Sequence, residues 1–182
     1  MLPKTMTAIC ITRAGGPEVL QPAARPLPQP GAGEVLIKVA FAGVNRHDCG
    51  QRSRGFGPKG ATDIPGLEVA GEVVATGAGV TRWKAGDRVC ALVSGGDGAE
   101  FCVPVSAIMS KRAVVTGSQL RASPLTLKIE IARQVVDRVW PHLGTRVTPI
   151  IDSVMPLARA CDAHARMEAS VHIGKILLEV VH

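Results

Sequence analysis

Residues 64–77 read IPGLEVAGEVVATG, from Ile64 to Gly77, and this stretch decides the fold. A run rich in valine, opened by Pro65-Gly66 and closed by Gly77-Ala78-Gly79, reads as a strand between turns. The same texture extends outward in both directions. Residues 6–12, 34–44, 67–76, 87–93 and 99–105 are short β-rich runs punctuated by glycine and proline, and helical periodicity is nearly absent among them. Within residues 34–44, Val35, Ile37 and Val39 share one face by the period-two rule. Turns at Lys84-Ala85-Gly86 and at Gly95 to Gly98 separate the later strands, a spacing that suits a partly open β-barrel.

Past Val105 the pattern changes. Residues 113–116 make one brief strand, and Ser123-Pro124 supplies an N-cap and a first-turn proline for a long helix ending near Gly144. Leu127, Ile131, Val135 and Val139 recur on it at i+4 spacing. Residues 147–153 read as a strand, and residues 156–167 as a helix with Leu157, Ala160, Cys161 and His164 on one side. Residues 174–181 form the closing strand. The fold class is α+β, mainly β.

Composition narrows the function. The 182 residues suffice for one principal core and fall short of two ordinary dehydrogenase-sized domains. The formal charge of +6 comes from 21 Lys and Arg interleaved with 15 acids, which reads as a solvated basic surface rather than a nucleic-acid patch. Aromatic residues make up 3% and tyrosine is absent, which argues against a base-stacking platform. No apolar run near the start of the chain approaches a membrane span or signal core. Five cysteines without a CxxC pair fit a reducing, cytoplasmic setting and small core positions.

The segment 64–77, continued by Val80 and by Gly86-Asp87-Arg88-Val89, resembles the signature of zinc-independent quinone oxidoreductases of the medium-chain dehydrogenase/reductase superfamily. Gly16 to Leu20, Gly33 to Val39, and Asn45-Arg46-His47-Asp48 with Arg52 match the same family in the same order. Gly95 to Phe101 resembles it further, with Gly98 where the family carries tyrosine, and so do Val115 to Arg121, Val139 to Pro141, Pro149 to Asp152, Ala163 to Glu168 and Gly174 to Leu178. The resemblance implies a GroES-like catalytic domain. It places residues 1–107 in the N-terminal catalytic portion, 108–146 in a remnant strand and long helix from the edge of a nucleotide-binding domain, and 147–182 in the strand-helix-strand that completes the catalytic domain.

Between Val105 and about Ile108 the family would carry a whole dinucleotide-binding domain, a block on the order of 100 to 150 residues by ordinary domain size. A Rossmann unit needs a glycine turn between a strand and a helix, so that helix N-terminal amides meet phosphates. Gly77-Ala78-Gly79 follows a strand, but the residues after it start no helix and the third glycine is missing, so a β-turn is the better reading. No complete Rossmann domain is expected.

The resemblance further implies hydride transfer from NADPH to a quinone or enone, a small-molecule partner. Asn45 and Asp48 would line the nicotinamide end of a cleft, Arg52 would brace the loop, and Ser118, Leu120 and Arg121 would approach from the C-terminal side. Phe56 stands where the family often places a tyrosine, so it packs without donating a hydrogen bond, and Gly50 stands where relatives can carry an aromatic ring. Plainer roles stay open: Asn45 caps a turn, and Asp48 pairs with Arg52 across a loop. No zinc is expected, since zinc-using members place a cysteine and a histidine where this chain has Asn45 and Leu67. His47, Asp48 and Cys49, read as an extended segment, would point to alternate faces as solvated loop residues.

Two functions follow: an oxidoreductase catalytic domain, inactive or nearly so without its second wall, or a non-enzymatic interaction module. Residues 113–117 resemble an edge strand whose sheet is missing, and self-association through them is a further expectation.

Overall fold

The structure, a computed structural model, describes residues 2–55, 62–92 and 123–181. The expected strands at 99–105 and 113–116, the edge at 113–117, the turn at Gly95 to Gly98, and Phe56, Ser118, Leu120 and Arg121 lie outside the described residues. Two compact units separate, Met1–Ala99 with Ile150–His182 and, by itself, Glu100–Pro149.

In the first unit, β1 (Thr5–Ile11) and β2 (Leu20–Pro26) form an antiparallel hairpin. β2, LQPAARP, has no β-branched residue and two prolines, so its sequence gives no strand signal. Among the described residues its partner is β1, and an edge position tolerates prolines, which cannot donate to a second neighbour.

The other five strands are β3 (Val35–Val44), β4 (Glu68–Thr76), β5 (Arg88–Leu92), β6 (Ile151–Pro156) and β7 (Lys175–Glu179), in the order β5-β4-β3-β7-β6. All neighbours are antiparallel except β6 and β7. Among the described residues the two sheets do not close into a ring, and the fold is a mixed α/β arrangement. In β3 the register slips between Val39 and Phe41, leaving Ala40 as an extra residue opposite Gly71 and Ala70. That bulge shifts the face of the residues after it, and the strand ends with Gly43 and Val44 both buried.

Among the described residues, two helices complete the unit. α1 (Arg46–Arg54) follows β3 directly. Its sequence, RHDCGQRSR, lacks branched aliphatic residues, which is why hydrophobic periodicity gives no sign of it. A later helix, Ala160–Ala169, follows a 3-10 turn at Leu157–Arg159 and ends at Ser170, which takes a left-handed conformation. The expected start at residue 156 moves because β6 runs through Pro156. The buried stripe accordingly becomes Ala160, Ala163, His164 and Met167 at i, i+3, i+4, i+7, and Cys161 turns partly outward. Ala160, Ala163 and Met167 join Ile9, Ile11, Val19, Leu20, Val44, Cys49, Ile176 and Leu178 in one core. Ile176 and Leu178 reach it by strand alternation, which puts Lys175 on the opposite face of β7.

The second unit holds α2 (Leu125–Arg138), so that Ala160–Ala169 is α3 in chain order. α2 ends earlier than the expected Gly144, because Pro141 has no N–H for the carbonyl four residues back and the chain passes into a 3-10 turn, Trp140–His142. Leu127, Ile131, Val135 and Val139 are all exposed. The strand expected at 147–153 begins instead at Ile151, since Pro149 cannot donate to a ladder and Val147 turns back to His142 (N to O, 3.0 Å). No helix among the described residues is long and apolar enough to cross a membrane.

Candidate functional site

The site forms where β3 becomes α1. Asn45, in extended conformation, is the N-cap of α1, and Asp48 at N3 accepts a hydrogen bond from the Asn45 backbone N–H at 2.9 Å. This is a capping-box arrangement, which satisfies a helix-terminal donor and places a carboxylate at the positive end of the helix. The expected loop is therefore a helix. His47, Asp48 and Cys49 sit about 100° apart around it rather than alternating. Asp48 and Cys49 are buried, which corrects their reading as solvated loop residues.

The Asn45 side chain is held at both ends. Its Nδ2 donates to the Gly43 carbonyl at 3.3 Å, and its Oδ1 accepts from Lys175 Nζ at 3.3 Å. Lys175 is also 2.6 Å from Glu68 Oε1. Residues distant in sequence thus converge: Asn45 after β3, Glu68 at the start of β4, and Lys175 at the start of β7. Register explains the meeting. Gly43 faces Glu68, and Val44 faces Ile176, so the residue before Ile176 falls beside the residue after Val44. A Cβ on Gly43 would sit 2.0 Å from Glu68 Oε1, so glycine leaves the space through which the carboxylate reaches Lys175.

Asp48 is 2% exposed, and its Oδ1 has no hydrogen-bond partner among the described residues. Burial raises its pKa from the ordinary aspartate value, against the opposing hydrogen bond from Asn45 and the charge of His47.

Behind this cluster, α1 is fixed to α3. The Arg52 guanidinium, 1% exposed, meets Glu168, which corrects the expected Asp48–Arg52 pair. At i and i+4 on α1, Asp48 serves the helix start while Arg52 reaches across to the end of α3. Arg46 donates to Ser170 Oγ at 2.6 Å, a cation at the C-terminal end of α3. Cys49 Sγ lies 3.6 Å from Nδ1 of His164. Gln51 donates to the Thr62 carbonyl at 3.2 Å. The glycine turn is a turn: Val80 N–H points to the Gly77 carbonyl at 3.4 Å, and β4 has ended at Thr76.

Of the expected site residues, the structure brings Asn45 and Asp48 together and sets Arg52 behind them. Glu68 and Lys175 belong to the cluster and were not expected there, although both stand inside segments of family resemblance. Their signal lies in strand register, which a single sequence does not display.

Comparison with known proteins agrees with this architecture. Residues 31–112 match the Alcohol dehydrogenase GroES-like domain family. Quinone-oxidoreductase QR1, chloroplastic, from Triphysaria versicolor is 32% identical over 147 residues, covering 74% of this chain and 45% of that protein. Quinone oxidoreductase from Rattus norvegicus is 41% identical over 103 residues, covering 55% of this chain and 31% of its own length. Among solved structures, a mycobacterial protein complexed with NADPH aligns over 96% of this chain with a TM-score of 0.65 at 18% identity, a likeness of fold. The chain spans less than half the length of these curated relatives.

A GroES-like domain with this order of signatures defines a member of the medium-chain dehydrogenase/reductase superfamily. Within that superfamily, the chain is similar to quinone oxidoreductases over part of their length.

Proposed function

We propose that this chain is the catalytic portion of an NADPH-dependent oxidoreductase that reduces a quinone or other activated alkene without zinc, and that alone it turns over little or not at all. The observation that carries the reading is the amide of Asn45, oriented so that one Nδ2 proton goes to Gly43 and Oδ1 accepts from Lys175, which leaves the second Nδ2 proton for a ligand. The carbonyl oxygen of a carboxamide is an acceptor for that proton. The residues therefore fit a nicotinamide.

When bound, NADPH supplies the hydride. The chain's own residues do the positioning: Asn45 orients the carboxamide, Asp48 holds the first turn of α1 in place, and Arg52 with Glu168 braces that helix against α3. A conjugated acceptor is already polarised and needs no Lewis acid. The donor set supports zinc-free chemistry, because the Lys175 ammonium already engages the Glu68 carboxylate and the Asn45 oxygen that a divalent ion would need. Free Cys10, Cys49, Cys90 and Cys161 support a reducing compartment.

Low turnover follows from geometry. Hydride transfer needs the nicotinamide held between two walls, and this chain supplies one. The test is quinone-dependent oxidation of NADPH, with saturation transfer from protein to the nicotinamide ring protons measured in parallel. Background-level oxidation with saturation of the ring is expected. Turnover typical of a complete enzyme contradicts the single-wall reading, and no saturation at millimolar NADPH favours an interaction module instead.

A further inference from the structure

We propose that Lys175 is a positioning residue that fixes which end of the Asn45 carboxamide faces the ligand, an inference that rests on the reading of Asn45 above. An ammonium has three donors and no acceptor, so it selects oxygen over nitrogen. With Lys175 Nζ 3.3 Å from Oδ1 and the Gly43 carbonyl 3.3 Å from Nδ2, both neighbours of the amide specify the same orientation. A flipped amide would set NH2 against the ammonium and oxygen against a carbonyl, two repulsive contacts.

Lys175 is itself held. Glu68 Oε1 lies 2.6 Å from its Nζ, and its backbone N–H donates to Ile150 at 2.8 Å. Gly174, at φ +101°, brings the chain into β7 where a Cβ would meet the Ile150 carbonyl at 2.3 Å. The order of control runs from Glu68 to Lys175 to Asn45, with each link a polar contact between different elements. Lys175 does not touch the proposed cofactor; it acts through Asn45, which then presents a donor and never an acceptor.

Asn45 is the one asparagine in the sequence, so its side-chain NH2 pair is identified in a spectrum of the full 15N-labelled chain by Asn45→Asp. Expected is a slowly exchanging pair in the native chain, exchange faster by about tenfold in Lys175→Met, as for loss of one charge-assisted hydrogen bond, and restoration within about twofold by Lys175→Arg. Glu68→Gln should fall between, since the ammonium stays but loses its anchor. Backbone spectra and urea midpoints show that each variant folds. An Asn45 NH2 pair unchanged in Lys175→Met, or loosened equally in Lys175→Arg, overturns the proposal. NADPH titration of the same samples forms a second arm, with affinity expected to fall about tenfold in Lys175→Met. If the native chain shows no NADPH response, the reading of Asn45 fails, while the exchange measurement still decides the role of Lys175.

Discussion

Cys49 Sγ lies 3.6 Å from Nδ1 of His164 across the contact between α1 and α3, and both side chains are buried. A cysteine beside a histidine invites comparison with an activated nucleophile, but the electrostatics run the other way. Burial pushes the Cys49 thiol up to about 11, and burial followed by the charge of Arg52 pushes the His164 imidazole down to about 4. An activated pair needs a lowered thiol and a charged imidazole. This pair is neutral, and its work is to join two helices.

Acid sensitivity follows from His164. The unfolded chain takes up its proton near the ordinary value of 6.5, while the folded chain resists until about 4. Stability contributed by the neutral imidazole is complete above 6.5 and is lost as pH falls through that window, because the unfolded state then binds more protons. The loss approaches roughly 3 kcal/mol by pH 4. Urea unfolding from pH 7 to pH 4 should show the slope, and His164→Gln should flatten it. An unchanged slope in that variant assigns the acid sensitivity elsewhere.

Alkylation distinguishes the cysteines. Cys90 is exposed, whereas Cys49 is 3% exposed and burial pushes its thiol up to about 11, so at pH 8 iodoacetamide should modify Cys90 roughly a hundredfold faster than Cys49. Peptide mass mapping over time measures the ratio, and comparable rates contradict the closed α1–α3 contact.

Arg52 and Glu168 should respond unequally to mutation. Glu168 is 39% exposed and can regain water, but Arg52 is enclosed, with Nε and Nη1 already lacking partners among the described residues. Glu168→Ala strands a buried cation and should cost about 3 to 5 kcal/mol. Arg52→Met removes the buried charge while keeping much of its volume, and should cost less than about 2 kcal/mol. Chemical denaturation of the two variants ranks them; the reverse order contradicts the burial assigned to Arg52.

Asp48 separates shape from charge. Its raised pKa means that the protonated form suits the folded state, so its contribution is complete below the unfolded value and declines as pH rises through the folded one. Asp48→Asn should therefore gain relative to the native chain as pH increases from 4 to 7. Asp48→Ala loses the acceptor for the Asn45 N–H and should be destabilised by about 1 kcal/mol. Equal effects of the two substitutions at pH 7 exclude a capping role.

Strand identity was legible where valines cluster between glycines, as in β4 and β3, and the i+4 stripe located α2. β2 and α1 were not, for opposite reasons: Pro22 and Pro26 hide a strand that tertiary pairing holds, and the polar sequence of α1 hides a helix whose buried face is polar too. Asn45 and Asp48 were legible through family resemblance, but Glu68 and Lys175 join them by cross-strand register. The Ala40 bulge shows why such register escapes a pattern of hydrophobic residues: one extra residue changes the face of all that follow.

The most direct test is a chemical-shift map of the 15N-labelled chain under NADPH titration. The account expects weak, millimolar binding, with the largest shifts at the Asn45 side chain and at the backbone amides of Asn45, Asp48 and Lys175. Micromolar binding, or shifts that leave the start of α1 untouched, contradicts the assignment of this cluster as the nicotinamide-facing wall.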